Sequence, residues 1–264
     1  MNTQTLFPKY AEIIRNLDID SIKDVQSLPN SLQMVKDGKL SIYYTPFDFI
    51  NPLARIVLVG ITPGFTQLVN ALREAQIQIK SGADHLTALQ AAKRTGAFSG
   101  AMRPNLVAML DHVGLNRWLG ISSSDALFSS ANHLVHTTSV LRHPVFVDSE
   151  NYNGTPSMIK NPALRSFVLE HFAKEAATLK NAVFIPLGPK VSEAMAWLAA
   201  EGEIDGSRVL DGMPHPSGAN AERIAYFLGK KGKSSLSSKT NSAKLDSAKA
   251  SMMAKMSGIR KADE

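Results

Sequence analysis

Four short apolar runs, at residues 55–60, 133–141, 182–187 and 207–213, set the limits on what this chain can fold into. A short continuous run of this kind is the mark of a strand buried on both faces. Helical stretches lie between them: residues 66–93 with a break near Ser81-Gly82, 105–113, 162–180 and 190–200, then 220–228 after the last run. Strands alternating with helices predict an α/β fold. The expectation is a three-layer α/β/α arrangement around a central, mainly parallel, four-stranded sheet. In such sheets ligands sit beyond the carboxyl ends of the strands.

Outside this frame, residues 8–28 carry Tyr10, Ile13, Ile14, Leu17, Ile22 and Val25 at near-helical spacing, closed by Pro29-Asn30-Ser31. Three regions are expected: a helical and mixed segment over 1–53, an α/β domain over 54–228, and a disordered basic tail over 229–264. Residues 145–161 are polar and turn-rich and read as a loop. The tail carries nine lysines and arginines against three acids, while the rest of the chain has 20 of each, so the formal charge of +6 resides in the tail. A basic terminus suits the phosphate backbone of a nucleic acid.

The chain has no cysteine, which excludes disulfides, thiolate metal sites and cysteine nucleophiles. No apolar run reaches the roughly 18–20 residues of a membrane span. The opening Met1-Asn-Thr-Gln-Thr-Leu-Phe-Pro8 lacks the basic start and apolar core of a secretory signal. A cytoplasmic monomer with no metal, no cofactor and no membrane contact is expected.

Two loops carry the chemistry. The first apolar run ends in Gly60-Ile61-Thr62-Pro63-Gly64-Phe65, and the last ends in His215-Pro216-Ser217-Gly218-Ala219-Asn220. Proline and glycine fix such loops and let backbone groups approach a ligand. In this order, with two apolar runs between them, they resemble the two active-site motifs of the uracil-DNA glycosylase superfamily. The first loop is most similar to the Gly-Ile-Asn-Pro-Gly of its mismatch-specific branch, and the second to its His-Pro-Ser. Phe98-Ser-Gly-Ala-Met-Arg103 resembles the family's Phe-x-Gly-x-x-Gly stretch, and Thr138-Ser139-Val-Leu-Arg142-His-Pro144 its Thr-Asn-Val-Val strand. The resemblance spans about residues 54–228.

The resemblance implies a base-flipping enzyme that hydrolyses the N-glycosidic bond of a base in DNA. It implies that His215 stabilises the departing base and that Thr62 positions the water. It places Ile61, Pro63, Phe65, Phe98 and Ser139 around the base. Gly64, Pro216, Ser217, Gly218, Ala219 and Asn220 fall on the DNA backbone, joined by Lys230, Lys231 and Lys233 from the tail. Three positions depart from the family. Thr62 replaces an acid or amide, and a hydroxyl cannot take a proton from water near neutral pH. Ser139 replaces the asparagine that reads uracil. Ala219 replaces a leucine wedge. A modified pyrimidine therefore ranks above uracil, and hypermodified or glucosylated cytosine of phage DNA, removed in antiviral defence, is one such substrate. With no lysine in either motif, no Schiff-base step is expected. Asp211 and Asp148 are the carboxylates nearest the motifs in sequence. Uracil or mismatch repair, or a non-catalytic DNA-binding relative, are the alternatives. A nucleotide-binding enzyme is disfavoured, because no G-x-G-x-x-G or Walker loop follows a strand.

Overall fold

The structure, a computed structural model, describes residues 5–96 and 102–259. Its strands are β1 (Gln33–Asp37), β2 (Leu40–Tyr43), β3 (Ile56–Gly60), β4 (Val135–Ser139), β5 (Val145–Val147), β6 (Glu150–Asn151) and β7 (Val183–Pro186). Its α-helices are α1 (Phe7–Asn16), α2 (Phe65–Lys80), α3 (His85–Gly96), α4 (Met102–His112), α5 (Leu115–Leu119), α6 (Pro162–Phe167), α7 (Lys174–Thr178), α8 (Pro189–Ala200), α9 (Ala221–Phe227) and α10 (Ser242–Gly258). The chain is mixed α/β, and its described residues fall into two units. One draws on residues 5–50, 61–96 and 138–175, the other on 51–60, 102–137 and 176–259.

The first unit holds an antiparallel sheet in the order β1-β2-β5-β6. The segment expected to be a loop, 145–161, supplies two of its strands. Val145, Phe146 and Val147 make too short an apolar run to stand out in the sequence, yet they pair with β2 in register. Asp148 and Ser149, both at positive φ (51° and 64°), close the hairpin to β6. Two successive residues at positive φ match the twist of a two-residue hairpin turn. Apolar faces of α1, α2 and α3 bury Phe7, Ile14, Leu68, Leu72 and Leu89 against Tyr44 and Phe146. The Tyr10 and Tyr44 rings stack at 3.8 Å between centroids.

Helix α1 ends at Asn16 rather than continuing through residue 28. Leu17 turns to extended backbone, and Gln76 of α2 donates its amide to the carbonyls of Ile14 (2.9 Å) and Leu17 (2.7 Å). A side chain that satisfies orphan carbonyls ends a helix where it binds. Ile19, Ile22 and Leu28 are buried all the same, which accounts for the apolar spacing beyond the helix. The break expected near Ser81-Gly82 lies between α2 and α3, with Gly82 at φ +83°.

The second unit is built on a parallel sheet of three strands, in the order β4-β3-β7. β3 and β7 run parallel from Ile56 opposite Val183 to Val59 opposite Pro186. Every residue of β3 is buried. The expected fourth strand at 207–213 is reduced to two isolated parallel bridges, Phe184 to Val209 and Leu187 to Met213. Gly212, at φ +101°, bends the chain between them.

The tail expected to be disordered forms α10 over residues 242–258. Its Met252 and Met256 are buried, and Lys255 donates to the Val209 carbonyl at 2.9 Å. Between α9 and α10, Glu222 gathers the connecting segment. Its carboxylate accepts from Lys231 (2.7 Å), the Ser237 backbone (3.1 Å) and hydroxyl (2.6 Å), and Thr240 (2.5 Å). Those donors, Lys231 first, hold the Glu222 carboxyl well below the usual carboxylate range. Among the described residues no helix is long and apolar enough to cross a membrane.

Candidate functional site

In the second unit, the bridge at Met213 leads straight into Pro214, His215 and Pro216. Two prolines restrict the backbone on either side of the imidazole. His215 is half-buried, and its Nδ1 accepts from the Ser217 backbone N–H at 3.3 Å. An accepting Nδ1 carries no proton, so in the neutral ring the proton resides on Nε2. Burial lowers the His215 pKa from its ordinary value. The side chain is therefore a neutral ring presenting one N–H near pH 7.

Neighbouring groups hold this loop. Asn105 of α4 donates its amide to the Pro216 carbonyl at 3.0 Å. Asn220 donates to the Ser217 hydroxyl at 3.1 Å and accepts from Arg223 at 2.6 Å. Gly218 and Ala219 are exposed at the tip. Gly188, at φ +99°, passes so close that a Cβ there would lie 3.3 Å from the His215 Cβ. Of the tail lysines, Lys230 and Lys233 are exposed, whereas Lys231 is engaged by Glu222 at 2.7 Å.

The first unit holds the other loop. Ile61 is half-buried, and its carbonyl accepts from Leu141 N–H at 3.0 Å. Ser139, at the end of β4, is half-buried, and Pro63 is buried. The Thr62 hydroxyl donates to the His143 carbonyl at 3.1 Å and accepts from the Val145 N–H at 3.1 Å. Its one proton and one lone pair are thereby used, leaving one lone pair. Gly64 N–H donates to Gln67 Oε1 at 2.9 Å, and Phe65 N–H donates to Asn151 Oδ1 at 2.9 Å. These two amides at the start of α2 are committed to side chains. Phe98 lies outside the described residues.

Beneath this loop is a buried polar cluster. His143 is fully buried, its Nδ1 accepting from Thr45 N–H at 3.3 Å. Arg142 contacts Glu175 at 2.5 Å and Asp48 at 3.8 Å. The Tyr44 hydroxyl donates to Asp48 at 2.5 Å. Burial raises the Asp48 carboxyl, with Tyr44 and Arg142 opposing it. Lys93 donates to the carbonyls of Phe47 (3.3 Å) and Phe49 (2.7 Å), and burial lowers its ammonium to about 8.

Both sequence-nominated carboxylates are paired with lysine. Asp148, at the hairpin tip, meets Lys39 at 2.8 Å, and Asp211 meets Lys255 at 3.7 Å. Among the described residues no group of three or more histidines and carboxylates is arranged to hold a metal. Three residues that shape the loops, Asn105, Asn151 and Glu222, carry no signal in the sequence. Gly188 does, because Ile185-Pro-Leu-Gly188-Pro-Lys190-Val191 resembles the family's strand-to-helix turn between the two motifs.

No family model and no solved structure matches the chain. It is 35% identical over 222 residues to the uncharacterized protein YoxB of Bacillus subtilis (strain 168), a match covering 83% of this chain and 86% of YoxB. The chain belongs to the YoxB family. The match is long enough that the YoxB family shares more than isolated motifs with this chain.

Proposed function

We propose that the protein is a monofunctional DNA glycosylase of the uracil-DNA glycosylase superfamily, acting in the cytoplasm as a monomer on a modified pyrimidine. The observation that carries this reading is His215. The Ser217 N–H on its Nδ1 leaves a neutral Nε2–H to donate to the negative charge that grows on a departing base. A fixed donor aimed at developing charge lowers a barrier without needing to reorganise. Thr62 keeps one lone pair, enough to accept a hydrogen bond from water but not to take its proton. The sugar would therefore depart from its base largely before water adds. The same reading takes residues 209–213 as the fourth line of a mainly parallel sheet in an α/β/α stack; the parallel bridges at Val209 and Met213 support it.

Ser139 presents a hydroxyl where an amide would grip the uracil edge, and a site lacking that grip discriminates poorly in favour of uracil. We therefore favour a modified cytosine, including the hypermodified cytosines of phage DNA. The test is mass spectrometry of bases released from DNAs bearing uracil, mismatched thymine, and hydroxymethylated or glucosylated cytosine. A modified cytosine should be released faster than uracil, and His215→Ala should slow release by about 10²–10³-fold, the usual cost of losing one such donor. Uracil released faster than every modified cytosine would return the protein to uracil repair.

The Thr62 hydroxyl, its proton already donated to the His143 carbonyl, favours one other reading, a DNA-binding relative without catalysis. Tight DNA binding with no base released from any of these substrates would establish it.

A further inference from the structure

A pocket in the same unit as His215 has no part in the chemistry above. It has a volume of about 500 Å³ and is lined by Arg103, Pro104, Val107 and Ala108 of α4 and by Asp125. Pockets that take small organic ligands fall in this range, roughly 300–1,000 Å³. The α4 residues lie one turn apart on a single face, so three apolar side chains make a continuous floor. The Arg103 guanidinium rests 4.7 Å from the Phe128 ring centroid. Its Nε is buried without a hydrogen-bond partner. That atom is closed to solvent, so a ligand would be met by the outer guanidinium nitrogens. Asp125 is exposed, and its backbone N–H is satisfied by the Ser123 hydroxyl at 3.2 Å. Arg103 and Asp125 line the same pocket without forming an ion pair with each other, so both charges are open to a ligand.

This combination selects the ligand. A phosphate would suit Arg103 but be repelled by Asp125, and a cation would meet the reverse. A flat heterocycle with acceptors on one edge and donors on another suits both. Guanine has that pattern: O6 and N7 accept from a guanidinium, while N1–H and N2–H donate to a carboxylate. Its faces lie naturally against Pro104, Val107 and Ala108. Adenine, cytosine and thymine each offer only part of this set.

We propose that this pocket is a binding site for a guanine base. Its position favours a base of bound DNA over a free nucleotide, because Asn105 of the same helix holds the Pro216 carbonyl. That assignment of the source rests on the DNA glycosylase reading, whereas the guanine site itself does not.

The test is ligand-observed NMR on the full chain with 2′-deoxyguanosine, the other three deoxynucleosides, deoxyinosine (no N2 amino group) and 7-deaza-2′-deoxyguanosine (no N7). Deoxyguanosine should bind about tenfold more tightly than either analogue or any other nucleoside. Arg103→Ala and Asp125→Asn should each abolish the preference. Asp125→Asn on the exposed surface serves as the safeguard should Arg103→Ala disturb α4. An oligothymidine carrying one guanine then assigns the source: tighter binding than oligothymidine alone points to DNA, and binding of deoxyguanosine without that gain points to a free guanine nucleotide. Equal binding of all nucleosides, no binding of any, or preference unchanged in both variants would overturn the site. His215→Ala should leave deoxyguanosine binding intact, so failure of base release and failure of this site are separate results.

Discussion

The Arg142 guanidinium holds two buried carboxylates, Glu175 at 2.5 Å and Asp48 at 3.8 Å, with side chains 1% exposed. Removing it takes one buried cation from both, with Lys93 still acting on Asp48, and breaking a buried pair from one side costs about 3–5 kcal/mol. Arg142→Leu should lower the urea midpoint accordingly, and an unchanged midpoint would contradict the arrangement. The neighbouring imidazoles give a second prediction. Burial first, then Arg142, brings His171 to about 4; burial, His171 and Arg142 push His143 well below its ordinary value. A histidine with a depressed pKa resists protonation in the fold, while the unfolded chain takes up the proton. Stability is then full above about pH 6.5 and falls as the pH drops from there toward 4. The raised Asp48 carboxyl acts in the opposite sense, at pH values nearer the carboxylate range. The urea midpoint should be lower at pH 5 than at pH 7, and the difference should shrink in His171→Gln. The sequence shows Arg142 and His143 only as the end of the Thr138–Pro144 motif, and nothing there joins them to Asp48 or Glu175. Arg142, His143 and Asp48 look like ordinary loop residues until the fold buries them together, and burial of a charge has no local sequence signature.

Helix α10 is the element on which sequence and structure part most clearly. Its lysines and serines read as a solvated tail, in which Met252, Met253 and Met256 mark at best a marginal helix. Two of these are buried, and Ala248 comes so close to Gly212 that a Cβ on the glycine would lie 2.3 Å from the alanine's own. Gly212→Ala is thus doubly unfavourable, by contact and by its φ of +101°. It should cost about 1–3 kcal/mol, the usual range for strained backbone or overpacking, and thermal denaturation measures it. Truncation after Leu228 should destabilise the second unit, since it removes the Lys255 bond to Val209 and the methionine contacts together. The strands β3 and β7 were legible because a buried parallel strand is apolar throughout. The hairpin β5–β6 was not, because three apolar residues beside a polar turn carry no periodicity to read. The run at 207–213 is reduced to two parallel bridges for another reason: its apolar residues are there, but Gly212 bends the backbone between the bridges. At the motif loops, the sequence exposed the residue types, while the partner that sets the state of His215 is a backbone N–H two residues on and those of Thr62 are backbone groups 81 and 83 residues away.

Across the whole chain, the formal charge of +6 has to be divided between lysines that hold the fold and lysines that face solvent. Lys231 is engaged by Glu222, Lys249 by the Phe227 carbonyl at 3.1 Å, and Lys255 by Val209 and Asp211. Lys230, Lys233, Lys239 and Lys244 are exposed, and their ammonium groups make no hydrogen bond or ion pair among the described residues. Only charges of the second kind can exchange counterions for phosphates. Each phosphate neutralised by a protein cation steepens the dependence of log K on log salt by about 0.9 on duplex DNA. On the DNA glycosylase reading proposed above, changing all four exposed lysines to glutamine should therefore flatten that slope by about 2–4 with the thermal midpoint nearly unchanged. Lys231→Gln with Lys249→Gln should do the reverse, lowering the midpoint while leaving the slope close to wild type. Measuring DNA affinity by fluorescence anisotropy over a range of salt, alongside melting curves, separates the two sets. A slope unmoved by the fourfold change would mean that the surface lysines of the C-terminal region do not meet the DNA backbone, and DNA contact would then have to rest on the motif loops alone.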